Sequence, residues 1–400
     1  MKMGRGEYIA LTACIMALTA LAIDIMLPTF AKIREQFGLS SQSTDTANII
    51  AFFFMGQCAQ IIFGVLSDRF GRLAILRVGF PLYIISGIVA AFAPNLTLMF
   101  IARFIAGMGA SAIFTSAIAG VRDRFSGDRM ARIMSLILTI FLYTPVIAPF
   151  LGVAILSIAS WRYVFLTPPA VAILVFLWSL RLEESLPPDQ RNALNWKSIG
   201  QSIWKVISNK TFLRYTAITT ALFAALSSYV GSSEHIIGVI YKKPQLFAWL
   251  FAGIAMLSSF STLINSRLSL KFGARRTIRW LLMMYAAVAG LLLLLTFIFG
   301  DPPIMSVLFI GVALLTAINL AIEPNSSALA LEPLGNVAGM AASVYGTSFF
   351  LIGALVGSFI SGLMVHHIFP LVLAYFVIGV VSLVLVFTAS KDPQIAEGNS

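Results

Sequence analysis

The stretch Gly64-Val-Leu-Ser-Asp-Arg-Phe-Gly-Arg72 lies between two long apolar segments of a 400-residue chain. A weaker copy, Leu268-Ser-Leu-Lys-Phe-Gly-Ala-Arg-Arg276, occurs half a chain length later and also lies between apolar segments. Glycine permits a tight turn, and the charged side chains favour water over lipid. A charged turn between apolar segments that repeats once at half length is typical of membrane proteins built from two related halves.

Apolar residues dominate the whole chain. Hydrophobic residues make up 59% of it and charged residues 11%, compared with roughly 45–50% and about 25% in soluble domains. Runs of about 20 apolar residues are long enough to cross the hydrocarbon core of a bilayer. The sequence therefore predicts an all-α membrane protein with its transmembrane helices in two pseudo-symmetric six-helix bundles. The twelve predicted spans are 8–31, 43–66, 73–93, 97–121, 130–157, 161–182, 211–235, 245–268, 275–299, 302–330, 336–364 and 367–389.

The net charge of +11 is distributed asymmetrically along the chain. If both termini are cytoplasmic, most of the 27 Lys and Arg residues lie at the inner ends of the spans, as the positive-inside rule requires. The basic character then reflects orientation and contact with anionic lipid, not binding to nucleic acid. We expect a multi-pass protein of the bacterial inner (plasma) membrane with cytoplasmic termini. The few outer cations are Lys32, Arg34, Arg162, Lys242 and Lys243.

The apolar pattern lapses between the sixth and seventh spans. Pro187 and Pro188 end the sixth helix, and a segment from Trp196 to Ile207 follows with apolar residues at helical spacing. This segment predicts an amphipathic helix at the cytoplasmic interface. The predicted domains are an N-terminal six-helix bundle (1–182), a cytoplasmic linker (183–210) and a C-terminal six-helix bundle (211–400).

Asp24 and Arg103 are ionisable residues deep inside predicted spans, where each charge costs roughly 2.5–3.5 kcal/mol on insertion scales. Pro28 cannot donate a hydrogen bond to the carbonyl of Asp24, so the first helix should bend at the acid. A carboxyl group that alternates between protonated and ionised forms suits a proton-coupled cycle. The alternative is an acid that only caps the bend. Arg103 stays charged, and ionised Asp24 is its predicted partner, either in a switch or in a static ion pair.

Further polar residues lie in the predicted spans of the second half. Glu323, followed by Pro324, is interpreted as a second titrating group, a substrate contact or only a polar lining residue. Glu234 and His235 follow several serines and either line the outer mouth of a cavity or form a solvated interfacial pair. The candidate substrate-cavity residues are Tyr143, Tyr229, Glu234, His235, Asn319 and Glu323.

Prolines and small residues mark candidate hinges and close helix contacts. Pro145 and Pro149 are one helical turn apart and each removes a backbone hydrogen bond, so the fifth helix should bend. Gly107 lies one turn after Arg103 on the same face, where a small residue lets another helix approach. The candidate hinge and packing residues are Pro28, Gly107, Gly109, Pro145, Pro149 and Gly152.

In the residues described above, the chain resembles the drug:proton antiporter branch of the major facilitator superfamily. It is most similar in these motifs to the Bcr/CflA-type multidrug efflux members. The resemblance covers essentially all 400 residues. The stretch from Gly64 to Arg72 is similar to the loop motif between the second and third helices. Arg103 with Gly107 and Gly109 is similar to the fourth-helix motif, and Asp24 with Pro28 to the first-helix acidic motif. The fifth helix departs from the antiporter motif, because Val153 follows Gly152 where the motif has a second glycine.

The resemblance implies that the loop acts as a conformational lock. Asp68 would face the N-terminal end of a helix in the other half and interact with its dipole. Arg72 would pair with Asp123 at the end of the fourth helix. In the second copy of the loop, Leu270 stands where the acid would be. The candidate lock residues are Gly64, Asp68, Arg69, Gly71, Arg72 and Asp123.

We expect a proton-coupled secondary transporter, most simply an H⁺ antiporter that exports drugs or small metabolites by alternating access. Import of a small polar solute by proton symport is the first alternative. A sensor or partner protein that keeps the fold without transporting is the second. The polar groups of Glu234, His235 and Glu323 indicate a cationic, zwitterionic or otherwise polar substrate.

Enzymatic and cofactor chemistry find no support in the sequence. No nucleophile–base constellation, metal-ligand spacing or Walker-type phosphate loop occurs. Cys14 and Cys58 lie in apolar spans, where a structural disulfide is not expected. We therefore expect no enzyme activity, no cofactor and no bound metal. The expected partners are a small-molecule substrate, protons and the lipid bilayer, with no nucleic acid, and the protein is expected to act as a monomer.

Overall fold

The computed structural model describes residues 3–191 and 196–388, which form α-helices and short turns without a β-strand. The helices before the linker are α1 (Arg5–Asp24), α2 (Phe30–Gln36), α3 (Asn48–Gly56), α4 (Gln60–Phe70), α5 (Arg72–Ala91), α6 (Leu96–Arg124), α7 (Gly127–Ile158) and α8 (Trp161–Ser179). The later helices are α9 (Trp196–Ile207), α10 (Lys210–Glu234), α11 (Phe247–Phe272), α12 (Ala274–Phe299), α13 (Met305–Leu331), α14 (Ala338–Gly362) and α15 (Phe369–Thr388).

The first span contains a bend next to its acidic residue. Helix α1 ends at Asp24, and the 3-10 turn Leu27–Thr29 leads into α2. The cause is Pro28, which has no N–H to continue the α-helical hydrogen bonds. The two helices still form one apolar unit, Arg5–Gln36, that is long enough to cross a membrane. The predicted bend at Asp24 is confirmed.

Ten ranges within the described residues are long and apolar enough to span a membrane. One of them, Met305–Gly362, contains both α13 and α14, joined by the 3-10 segment Glu332–Val337. Helix α10 is not among the ten although it has 25 residues, because its many Ser and Thr side chains lower its hydropathy. With α10, the long helices correspond to the twelve predicted spans, and the all-α transmembrane fold is confirmed.

Helix α9 begins at Trp196 and ends at Ile207, which are the bounds predicted for the amphipathic segment. Trp196 and Trp204 are exposed and Val206 is buried, as expected for a helix that lies along a surface. The domain boundaries themselves stay a prediction. Residues 1–2, 192–195 and 389–400 of the predicted domains lie outside the described residues.

The ends of the long helices form two faces of the molecule, because successive helices alternate in direction. We call the end where α2, α10 and α14 terminate the Arg34 face, and the end where α4, α6 and α13 terminate the Arg72 face. Between the helices up to α8 and those from α10 onward, α14 packs against α3 and α4, and α11 packs against α7. At the Arg34 face α10 also contacts α3.

Helix α7 contains two prolines and runs from Gly127 to Ile158 without ending at either of them. Pro145 and Pro149 therefore do not break this helix, and their role as a hinge stays a prediction. Gly152 brings α7 against the first span, because a Cβ atom there would overlap the backbone carbonyl of Ile25.

Glycines determine how closely α6 approaches its neighbours. A Cβ atom on Gly107 would overlap the carbonyl oxygen of Phe53 in α3, and one on Gly109 would overlap the backbone of Tyr83 in α5. Only glycine allows the helix backbones to come this close. The packing fixes Arg103, one turn before Gly107, where α6 meets α1 and α3.

Candidate functional site

Asp24 is a buried acid without a polar partner among the residues that the structure describes. Its exposed fraction is 5%, and its carboxylate makes neither a hydrogen bond nor an ion pair. The bend caused by Pro28 places it at the last residue of α1. A buried carboxylate without a compensating donor or cation is costly in its ionised form. The environment of Asp24 therefore favours the neutral form of its carboxyl group.

Arg103 is fully buried and binds backbone carbonyls. Its Nη2 group donates to the carbonyl of Ala22 at 2.9 Å and its Nε group to the carbonyl of Ile49 at 3.2 Å. The guanidinium also lies over the ring of Phe53, 4.3 Å from its centroid. The predicted ion pair with Asp24 is therefore absent in this conformation, which corrects the expectation for Arg103.

The bend in the first span explains why Arg103 finds a carbonyl there. In a regular helix the amide of Met26 would bond the carbonyl of Ala22, but it bonds Ile23 instead. The freed carbonyl lies two residues before Asp24, so the guanidinium and the carboxylate lie in the same region of the first bundle.

Glu323 occupies a comparable position in the second half. It is half-buried on α13, and its Oε1 atom accepts a hydrogen bond of 3.2 Å from the hydroxyl of Tyr345 in α14. One turn earlier, Asn319 is buried and donates to the carbonyl of Leu222 at 2.8 Å. Asn319 thus ties α13 to α10, while Glu323 keeps acceptor capacity.

Glu234 and His235 are buried, so the expectation of a solvated pair is wrong. The Nη2 group of Arg34 donates to both carboxylate oxygens of Glu234, at 2.9 and 2.8 Å. The Nε2 atom of His235 lies 3.0 Å from the carbonyl of Val365. In this conformation the carboxylate of Glu234 is bound by Arg34 and cannot line a cavity for substrate.

The two tyrosine candidates lie in different environments. Tyr143 on α7 is 51% exposed, whereas Tyr229 on α10 is 2% exposed and stacks on Phe251. Its hydroxyl has no hydrogen-bond partner within the described part of the chain. The candidate cavity residues therefore do not form one cluster in this conformation.

The loop motif forms a network of charges at the Arg72 face. The Nε atom of Arg72 donates to Asp123 at 2.9 Å, and its Nη1 group binds Asp68. Glu184 accepts hydrogen bonds from the backbone amides of Arg72 and Leu73 at 3.0 and 3.1 Å, which caps the start of α5. The Arg72–Asp123 pair implied by the resemblance is present.

The glycines of the motif place it against the other half. Gly71 has a φ of 99°, a conformation that favours glycine, and it allows α5 to begin directly after α4. Gly64 faces Ser343 of α14 so closely that a Cβ atom would crowd its hydroxyl. Arg69 is exposed.

A cavity of about 240 Å³ lies between α4, α6 and α14 at the Arg72 face. Asp68, Asp123 and Gln60 line it from one half. Gly339 and Met340, in the first turn of α14, line it from the other half. Asp68 thus shares a cavity with the N-terminal end of α14, as the resemblance implies.

A bundle of membrane-spanning helices that buries a carboxyl group and a guanidinium, with a charge network at one end, has the features of a helical membrane transporter. The family model of the Major Facilitator Superfamily matches residues 12–355. The chain therefore belongs to the Major Facilitator Superfamily, which confirms a transporter of small molecules rather than an enzyme.

Relatives of known sequence support the same branch of the family. The chain is 28% identical over 381 residues to the uncharacterized MFS-type transporter YdgK of Bacillus subtilis, covering 93% of this chain and 92% of that one. It is 26% identical over 353 residues to a bicyclomycin resistance protein homolog of Haemophilus influenzae, covering 87% of each chain. It is 28% identical over 263 residues to the multidrug resistance protein MdtL of Escherichia coli, covering 64% and 66%. The resemblance to the drug:proton antiporter branch is confirmed.

Solved structures show the same fold at low sequence identity. A D-xylose-proton symporter superposes with a TM-score of 0.76 at 14% identity, over 96% of this chain and 97% of that one. The human organic anion transporter MFSD10 superposes with a TM-score of 0.71 at 16% identity, over 96% and 98%. At this identity the superpositions establish the fold alone.

Proposed function

We propose that this protein is a proton-driven exporter of drugs or other small organic molecules that works by alternating access. The names of the bicyclomycin resistance and multidrug resistance relatives support export. The observation that carries proton coupling is the buried, unpartnered carboxylate of Asp24. The Arg72 face, which is rich in basic residues, would be cytoplasmic. The protein would act as a monomer in the bacterial inner membrane with both termini in the cytoplasm.

Asp24 and Arg103 would form the proton switch. Arg103 cannot lose its charge at physiological pH and therefore always needs an acceptor. In this conformation backbone carbonyls serve that purpose, which fits a protonated Asp24. Loss of the proton would create a carboxylate that competes with these carbonyls for the guanidinium. The exchange would shift α6 against α1 and so couple the proton to the conformational change.

The charge network around Arg72 would stabilise one of the two access states. It bridges α4, α5 and α6 and meets the first turn of α14 across the cavity. When the halves rearrange, Asp68 and the N-terminal end of α14 would separate. Residues Gly64, Arg69, Gly71 and Asp123 would serve this lock through turn geometry and charge.

The substrate path would run between the two halves. Its candidate lining residues are Tyr143, Asn319 and Glu323, and Tyr229 or Glu234 would join them only after a conformational change. The hinge residues Pro145, Pro149 and Gly152 would permit α7 to move against α1 and α11.

Transport in proteoliposomes with an imposed pH gradient tests this function. Wild-type protein is expected to move substrate against proton flow, and Asp24→Asn to lower the gradient-driven rate at least about tenfold. Asp45→Asn, an exposed acid bonded to Ser43, is the matched control and should transport normally. Gradient-driven export by Asp24→Asn at the wild-type rate contradicts the role of Asp24. Substrate uptake together with protons would instead indicate the symporter alternative.

A further inference from the structure

A groove of about 500 Å³ lies on the surface of the first bundle, between α5 and α6. It shares no lining residue with the cavity at the Arg72 face. Apolar side chains form most of its walls, and Val78, Ile85 and Ile101 are at least 50% exposed. Both helices are long and apolar enough to span a membrane, so the groove opens toward the lipid.

The floor of the groove offers a ligand no free hydrogen-bond donor. Ser86 and Ala102 lie there, 5% and 2% exposed, and their small side chains leave room between the larger residues of the walls. The hydroxyl of Ser86 donates to the carbonyls of Leu82 and Tyr83 in its own helix. A carbonyl or phosphate group placed on this floor would lose its hydrogen bonds to water without replacement. The groove therefore fits an alkyl chain.

The length of the groove matches that of a lipid chain. Arg77 and Val89 lie at its two ends on α5, twelve residues apart. At about 1.5 Å per residue, this separation corresponds to roughly 18 Å along the helix. One leaflet contributes about 15 Å of a hydrocarbon core that is roughly 30 Å thick. An acyl chain that crosses one leaflet can therefore lie along the groove.

Arg77 places a positive charge at one end of the groove. It lies five residues after the start of α5, near the Arg72 face, and it is exposed. Among the described residues, no Asp or Glu forms an ion pair with it. Side chains on a helix lean toward its N-terminal end, and a long arginine side chain extends its charged group toward water in this way. The guanidinium of Arg77 is thus directed toward the lipid headgroups on this side of the membrane.

A phospholipid combines the two groups that the groove and Arg77 fit. A guanidinium keeps its charge and binds the oxygens of a phosphate through paired hydrogen bonds. A headgroup with a net negative charge fits better than a zwitterionic one, because Arg77 repels the cation of the zwitterion. We propose that the groove between α5 and α6 binds an anionic phospholipid, with its phosphate at Arg77 and one acyl chain between Val78 and Val89. This site goes beyond the proposed function and does not depend on proton-driven export.

Two neighbouring positions on α5 provide a matched pair of probes for the test. Val89 lines the groove and Ile88 does not, although they are 38% and 37% exposed. A fluorescent label is attached to Val89→Cys or to Ile88→Cys, in a background with Cys14→Ala and Cys58→Ala. The full-length protein is reconstituted, without a pH gradient, into vesicles of equal parts phosphatidylglycerol and phosphatidylcholine. Only one of the two lipids carries brominated acyl chains, which quench a label that they contact.

The label at Val89 is expected to report selective binding of the anionic lipid. Quenching there should indicate a preference for phosphatidylglycerol of about fivefold, the effect of one cation near a membrane surface. At Ile88 the two lipids should quench equally. Arg77→Gln should remove the preference at Val89. Arg267→Gln is the matched control and should retain it, because Arg267 is exposed near the end of α11 at the same face and lies outside the groove.

Four results overturn the proposal. Equal quenching at Val89 by the two lipids shows nonselective contact with bulk lipid. The same preference at Ile88 shows a general property of the protein surface and not of the groove. A preference that persists in Arg77→Gln removes Arg77 from the site. Displacement of the lipid by an excess of soluble glycerol phosphate indicates a site for small phosphate compounds instead.

Ile85→Trp provides a second variant should Arg77→Gln not fold. Ile85 is 61% exposed on the wall of the groove, so a larger side chain there fills the groove without entering the protein core. The preference at Val89 should disappear in this variant although Arg77 keeps its charge. A preference that survives would show that the acyl chain does not lie in the groove.

Discussion

Arg34 and Glu234 form a buried ion pair between α2 and the end of α10, although 200 residues separate them in sequence. Their side chains are only 4% and 9% exposed. Arg34 also donates to the hydroxyl of Thr46 at 3.1 Å. A second polar contact joins the halves nearby, since Ser358 donates to Asn48 at 2.6 Å. Polar contacts between the two halves thus close the Arg34 face.

Replacing Glu234 by Gln is predicted to open the Arg34 face. The variant leaves the charge of Arg34 buried without a counter-ion, and removing one partner of a buried pair costs about 3–5 kcal/mol. An arrangement that exposes Arg34 to water becomes favoured. Spin labels on Gln36→Cys and Gln245→Cys, in a background with Cys14→Ala and Cys58→Ala, should report a longer distance across this face.

The matched control for this variant is Glu35→Gln. Glu35 lies next to Arg34 in sequence, but it is exposed and pairs only with Lys32 on the surface. Exposed pairs of this kind contribute roughly 0–1 kcal/mol, so the distance between the labels should stay at the wild-type value. A closed face in Glu234→Gln would show that the ion pair does not hold the two halves together.

Arg103→Lys is predicted to abolish coupling while the protein still folds. The guanidinium reaches the carbonyls of Ala22 and Ile49 through two different nitrogens. A lysine ammonium is a single point donor and cannot reproduce this geometry. Proton-driven export should fall at least about tenfold. The exposed Arg267→Lys serves as the control, and normal export by Arg103→Lys would show that only the charge matters.

The network at the Arg72 face yields a stability prediction. Asp123→Asn weakens a hydrogen bond between charged groups, and bonds of this class contribute about 1.5–3 kcal/mol. Thermal unfolding in detergent should therefore begin at a lower temperature. Arg69→Gln, at the exposed position three residues earlier than Arg72, should change the free energy of unfolding by less than about 0.5 kcal/mol. Equal effects of the two variants would argue against a specific role for the Arg72–Asp123 pair.

Two features of this fold could be predicted from the sequence because they depend on local interactions. The bend at Asp24 follows from the missing N–H of Pro28, and the bounds of α9 follow from apolar spacing between Trp196 and Ile207. Both features depend on residues within one or two helical turns. The Arg72–Asp123 pair joins residues 51 positions apart. It could be predicted only from the family resemblance, because a family motif carries information on distant contacts.

Contacts between the two halves could not be predicted from the sequence, because no local pattern marks the residues that meet. In the sequence, Arg34 is a cation that follows the first predicted span. No residue close to it in the sequence indicates that its partner is Glu234, 200 residues away. Tyr345 lies in an apolar helix and offers only a hydroxyl to mark its bond to Glu323. The acceptors of Arg103 are backbone carbonyls. Every residue carries a carbonyl, so the sequence does not distinguish these acceptors. It indicated the buried acid Asp24 as the partner instead.

Gly107→Ala is predicted to destabilise the first bundle. Its Cβ atom would overlap the carbonyl oxygen of Phe53 in α3, and because that atom belongs to a helix backbone it can yield only if α3 moves away from α6. Overpacking of this kind costs about 1–3 kcal/mol, and the displacement would also disturb the hydrogen bond from Arg103 to Ile49. Gly253→Ala in α11 is the matched control, since no atom lies within 4 Å of its added methyl group, and alanine should stabilise that helix by roughly 0.5–1 kcal/mol. Thermal unfolding of both variants should therefore shift in opposite directions, and a stabilised Gly107→Ala would show that α3 and α6 are not in close contact.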